Sequence, residues 1–142
     1  MLIFLTLHSI VRWLAVFVSV ALLVRLVAGI LQKKPFDKTA TILTSAFAGV
    51  MDLQLTLGLF YLLWDGFAGT GFAGEIFRIR LEHAVMLTLA VVAAHLPAAW
   101  KKKPDAIRTR NTLIAVIVAL SFIVVGVSRL GWTRWLHIIG LF

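Results

Sequence analysis

Four apolar stretches constrain this chain more than anything else in it: Leu2 to Leu31, Thr39 to Trp64, Phe77 to Trp100 and Asn111 to Leu130, joined by three short polar links. Each reaches the ~20 residues that a helix rising ~1.5 Å per residue needs to cross ~30 Å of hydrocarbon. Inside a bilayer no water is available to bond the backbone amides, so a stretch of this kind is viable there only as a helix, which satisfies its own amides. Composition agrees, since 61% of the 142 residues are hydrophobic and the mean hydropathy is +1.01, above the ordinary soluble range. The expected fold is all-α: an integral membrane four-helix antiparallel bundle, one domain over residues 1–142, up-down-up-down because its links are short.

Charge sets the expected orientation. The net charge is +8, and the basic residues gather in two links, QKKPFDK and KKKPDAIRTR. Short loops rich in Lys and Arg stay cytoplasmic, which puts the N-terminus, the loop DGFAGTGFAGE and the C-terminus outside. The KKK run reads as an anchor for anionic lipid headgroups. It has no interleaved aromatics of the kind that stack on bases, so no nucleic-acid partner is expected. The first stretch lacks a basic leader and a small-x-small cleavage site and is too long for a secretory signal, so it is expected to be retained. The tail GWTRWLHIIGLF, with Trp132, Trp135 and His137, is too short to span and suits a short interfacial segment.

Ionisable groups inside apolar spans are costly and usually face a partner or a cofactor. His8 and His83 lie at similar distances from the outer ends of the first and third stretches, which run in the same direction, so the two imidazoles share one depth. Arg12 is one helical turn below His8, and Ala15 and Ser19 continue that face. Arg80 shares the His83 face, while Glu82 is turned away by about 100° and needs a cation, with Arg12, Arg78 or Arg129 in reach. The second stretch carries two polar stripes on nearly opposite faces: Ser45, Gly49, Asp52, Thr56 on one, and Gln54, Gly58, Tyr61 on the other. Arg25, near the inner end of the first stretch, can snorkel to the interface. Pro97 is placed to bend or end the third helix, which would free a carbonyl for His95.

Two imidazoles at one depth, with no cysteine in the chain, exclude thiolate sites, iron–sulfur clusters and covalently attached haem. Three readings remain. One is bis-imidazole ligation of a single non-covalent b-type haem by His8 and His83, with Arg12, Arg78, Arg80 and Arg129 toward its propionates and Glu82 orienting an imidazole. Another is a polar network that joins the helices, and the last is a proton or ion path using Asp52 and His95. His95 lies twelve residues beyond His83, about 18 Å along the helix, so it is out of reach of the same iron. A carbonyl or a quinone pocket is its expected partner.

The strings LHSIVRW, KPF, QLTLGLFY and RLEHAVM, in that order, resemble the small four-helix bacterial membrane proteins of the cytochrome-b-like family. The resemblance covers most of the chain and rests on His8, Arg12, Trp13, Gln54, Gly58, Tyr61, Glu82 and His83. It implies a b-type haem carrier in a bacterial inner membrane, with Gln54 among the residues around the cofactor. His95 is no part of the pattern.

The chain is expected to pass single electrons to or from a quinone or a partner redox subunit, within lipid, as a homo-oligomer or as a subunit of a larger complex. The alternative is a cofactor-free accessory or assembly subunit of a respiratory or photosynthetic membrane complex. No nucleophile, hydrolytic metal cluster or phosphate loop is present, since the Gly-rich loop lacks GK[ST] and follows no strand, so no bond-making catalysis is expected.

Overall fold

Long apolar runs without interior proline fold locally into helices, and the breaks come where the sequence supplies caps and turns. The computed structural model describes residues 2–69 and 71–130, and these form α1 (Leu2–Leu31), α2 (Lys38–Ala68), α3 (Gly74–His95) and α4 (Asp105–Ser128), with a 3₁₀ turn over Leu96–Trp100 between α3 and α4. No strand occurs among the described residues. The tail with Trp132, Trp135 and His137 lies outside them.

α1 keeps the bounds of its apolar stretch, α3 starts ahead of Phe77 and stops at His95, short of Trp100, and α2 and α4 each overrun their stretch at a polar end. α2 continues past Trp64 to Ala68, which carries Asp65 into the helix, and α4 starts at Asp105, six residues ahead of Asn111. Hydrogen bonding ends a helix only where a turn or cap intervenes, whereas apolarity ends wherever the first charge appears.

The first link shows how a break is built. Lys33 adopts a left-handed φ of 52°, and Pro35 follows. Asp37 then caps α2 by accepting from the Ala40 amide at 2.9 Å, the usual role of an aspartate at that position. Arg25, expected from sequence to reach toward the interface, clasps this turn. Its guanidinium meets Asp37 Oδ2 at 2.9 Å and donates to the Pro35 carbonyl at 3.0 Å. In the link between α3 and α4, Pro97 lies two residues past the end of α3, and the chain tightens to 3₁₀ before the KKK run.

Cross-helix pairs fix the arrangement. His8 meets Gln54 while Arg25 meets Asp37, so α1 and α2 are antiparallel. Asp65 meets Arg80 while Asp52 meets His95, so α2 and α3 are antiparallel as well. Each helix packs chiefly on two neighbours, α1 on α2 and α4, and α3 on α2 and α4. The centre holds Leu22, Leu26, Phe47, Met51, Leu87 and Val116, and Ala90, Ala93, Ala94 and Ala119 let α3 and α4 approach closely.

Polarity is inverted relative to a water-soluble bundle. Ser9, Ser19, Gln54, Thr109 and Thr112 are buried, while Phe17, Val24, Phe60 and Val92 are among many large apolar residues on the outside. All four helices are long and apolar enough to cross a membrane, the mark of a multi-pass membrane protein.

Candidate functional site

The inner face of the bundle is incompletely filled. A cavity of about 460 Å³ lies among all four helices, and His8, Arg12, Gln54, Tyr61, Arg80 and His83 line it together with Leu, Val, Ile, Phe and Met side chains. Its size falls in the range of small-molecule and cofactor pockets, ~300–1,000 Å³. The face of α1 expected to turn inward, His8, Arg12, Ala15 and Ser19, meets one of the two stripes of α2 here: Gln54, Gly58 and Tyr61 line the wall, and the Asp52 stripe does not.

His83 is held by a backbone group. Its Nδ1–H donates to the Gly126 carbonyl at 2.9 Å. That carbonyl lies in the last turn of α4, where helix carbonyls lack an intrahelical partner, and the Leu130 amide that it might have taken bonds Val127 instead. Gly126 permits the approach, since a Cβ there would sit 2.9 Å from Met86 Cβ and 3.0 Å from Leu87 Cδ2. The proton of His83 is therefore on Nδ1 and the lone pair on Nε2.

His8 reaches the same tautomer by another route. The Gln54 side-chain amide donates to His8 Nε2 at 3.0 Å, which leaves the proton on Nδ1. The ring lies against Gly58, where a Cβ would be 3.1 Å from His8 Cε1. Two buried atoms of this pair, His8 Nδ1 and Gln54 Oε1, have no hydrogen-bond partner among the described residues, an uncommon situation for buried polar groups.

The cations divide into two groups. Arg80 pairs with Asp65 and lies over the Tyr61 ring, 5.5 Å from its centroid, at the cavity wall. Arg12 also lines the cavity. Arg78 and Arg129 instead hold Glu82: Arg78 Nη1 donates to Oε1 at 3.0 Å and Arg129 Nε to Oε2 at 2.7 Å. None of these three residues is among those that line the cavity. Of the cations in reach of Glu82, Arg78 and Arg129 bond it and Arg12 does not.

His95 differs from its expected partner. It meets neither a freed carbonyl nor this cavity; its Nε2 donates to both oxygens of Asp52, at 2.9 and 3.0 Å, on the outside of the bundle. α3 ends as a tight 3₁₀ turn, and His95 at that junction points across to α2.

Asp65 and Gly126 are the site residues that sequence reasoning passed over. Asp65 extends the stripe Gln54, Gly58, Tyr61 by one more turn at helical spacing, a signal obscured by placing Asp65 in the loop. Gly126 contributes a backbone carbonyl, which leaves no mark on side-chain periodicity. Among the described residues, no group of three or more His, Cys, Asp or Glu is arranged to hold a metal ion.

Together these features define an all-helical bundle with a largely apolar cavity among its helices and two imidazoles of matched tautomer on the wall. Compared with known protein families, curated proteins and solved structures, the chain finds no match in any of the three.

Proposed function

We propose that this chain is a membrane-embedded b-type haem protein, holding one non-covalent haem between His8 and His83 and carrying single electrons to or from a quinone or a partner redox subunit. The observation that carries this reading is that both imidazoles line one cavity and both keep their lone pair on Nε2, the atom that commonly ligates haem iron. The Gly126 carbonyl orients His83 from behind, as such partners do for metal-bound histidines. On His8 the Gln54 amide occupies the lone pair that iron would take, so Gln54 must yield on binding. Arg12 and Arg80 supply cationic groups for propionates, and the apolar walls suit a flat macrocycle. Haem would supply a reversible one-electron couple; the chain supplies ligation, charge and exclusion of water. The resemblance to cytochrome-b-like proteins supports the same reading.

The placement proposed with it is four spans in a bacterial inner membrane, both basic links cytoplasmic and both termini outside. Purified from haem-sufficient cells, the chain should show a reducible Soret band that His8→Ala and His83→Ala each remove. A colourless preparation with an intact helical bundle would overturn the haem reading. A second reading has its own support, because the His8–Gln54 and His83–Gly126 bonds engage both rings without any ligand. In that case the chain is a cofactor-free accessory subunit, and the colourless outcome is the expected one.

A further inference from the structure

We propose that the outer faces of α2 and α3 form a self-association surface, on which a second copy of this chain covers the Asp52–His95 pair. The inference rests on the membrane-spanning reading and not on haem. Asp52 is near the midpoint of α2, yet its side chain is 48% exposed and that of His95 52%. Other ionisable groups of the described residues line the cavity, pair with one another in the bundle or lie toward the helix ends. Groups that ionise in hydrocarbon normally face the interior of an assembly, so the outward position of this pair calls for a cover.

Gly49 is an independent mark of the same face. It lies one turn before Asp52 and is exposed, and a Cβ built there meets nothing within 4 Å. Packing within the chain explains Gly58 and Gly126, each of which has a neighbour against its missing Cβ, but it gives no reason for Gly49. Close approach of another helix does, since small residues let transmembrane helices come together. Ser45 and Thr56 on α2, Thr88 on α3 and Ala99 in the 3₁₀ turn are also exposed. The hydroxyls of Thr56 and Thr88 bond carbonyls of their own helices, so these threonines leave no free donor on the face.

Charge complementarity selects a second copy over an unrelated helix. The patch carries an acid and a base side by side, and across a two-fold axis such a patch meets itself with each carboxylate opposite an imidazole. His95 Nδ1 has no hydrogen bond among the described residues. In that arrangement each pair turns its polar groups into the assembly and away from the hydrocarbon.

The chain has no cysteine, so single-cysteine variants give a clean test in native membranes. Gly49→Cys should crosslink on oxidation to a product of twice the monomer mass, and Val125→Cys, on the outside of α4, should not. In mild detergent, sedimentation should find two chains for the wild type and one for Gly49→Leu, with helix content unchanged. Asp52→Asn should raise the dimer dissociation constant about tenfold, the scale of one or two interhelical hydrogen bonds. A wild type that stays monomeric, Gly49→Cys crosslinking no better than Val125→Cys, or a crosslink to a different protein would each overturn the proposal. Recovery of the chain in the soluble fraction would instead refute the membrane reading, and the Soret experiment reports on haem separately.

Discussion

Substituting Gly126 by alanine tests the seam between α3 and α4 and the support of His83 at once. The added Cβ would sit 2.9 Å from Met86 Cβ, an atom fixed to the α3 backbone, and 3.0 Å from Leu87 Cδ2, which can rotate away. Relief therefore requires the two helices to part by several tenths of an ångström. Overpacking of this kind costs about 1–3 kcal/mol. The same displacement stretches the 2.9 Å bond from His83 to the Gly126 carbonyl, and interhelical hydrogen bonds in membranes average about 0.6 kcal/mol. Alanine returns roughly 1 kcal/mol through its better helix propensity. The balance is a net destabilisation of about 0.5–2.5 kcal/mol. Reversible unfolding in mixed micelles would measure it, with Val125→Ala as a neighbouring control on an exposed position, which should change stability by less than about 0.5 kcal/mol. Stability equal to or above the wild type would show that α3 and α4 are not this close, and the backbone support proposed for His83 would go with it.

Two further perturbations address the ends of the bundle. Asp65→Ala removes the carboxylate that pairs with Arg80, whose side chain is only 18% exposed, and loss of one partner of a buried pair costs about 3–5 kcal/mol. In a double-mutant cycle, Arg80→Ala added to Asp65→Ala should cost little more than either change alone. At the turn between α1 and α2, the Ala40 amide and the Arg25 guanidinium hold the Asp37 carboxyl below its usual range. A lowered pKa in the folded state contributes stability above the unfolded value, ~3.9, and loses it as pH falls through the folded value. Hydrogen-exchange protection of the first turn of α2 should thus be level from about pH 5 to 8 and fall only in stronger acid. In Asp37→Asn that protection should be lower at neutral pH and should no longer change with acidification.

What the sequence determined by itself is local. Apolar length marks out α1 to α4, because a helix needs only its own amides and a run free of breakers. The 3.6-residue period put Gln54 and Asp52 on nearly opposite faces, leaving the fold to choose which turned inward, and gathered His8, Arg12, Ala15 and Ser19 on a single face that lines the cavity. Matched counts from the helix ends set His8 and His83 at one depth, and both rings do line that cavity. Partners across helices were another matter. The sequence offered Glu82 three cations, and the fold chose Arg78 and Arg129. It suggested a carbonyl for His95, and the fold brought Asp52. Gln54 as donor to His8, Asp65 beside Arg80 and the Gly126 carbonyl behind His83 emerged only in three dimensions. The physical reason is that a residue's own helix decides which way it faces, whereas the axial offset between helices decides what it meets. That offset follows from how the Leu, Phe and Ala of the core interlock and from where each turn stops, and no periodicity along one chain segment encodes it.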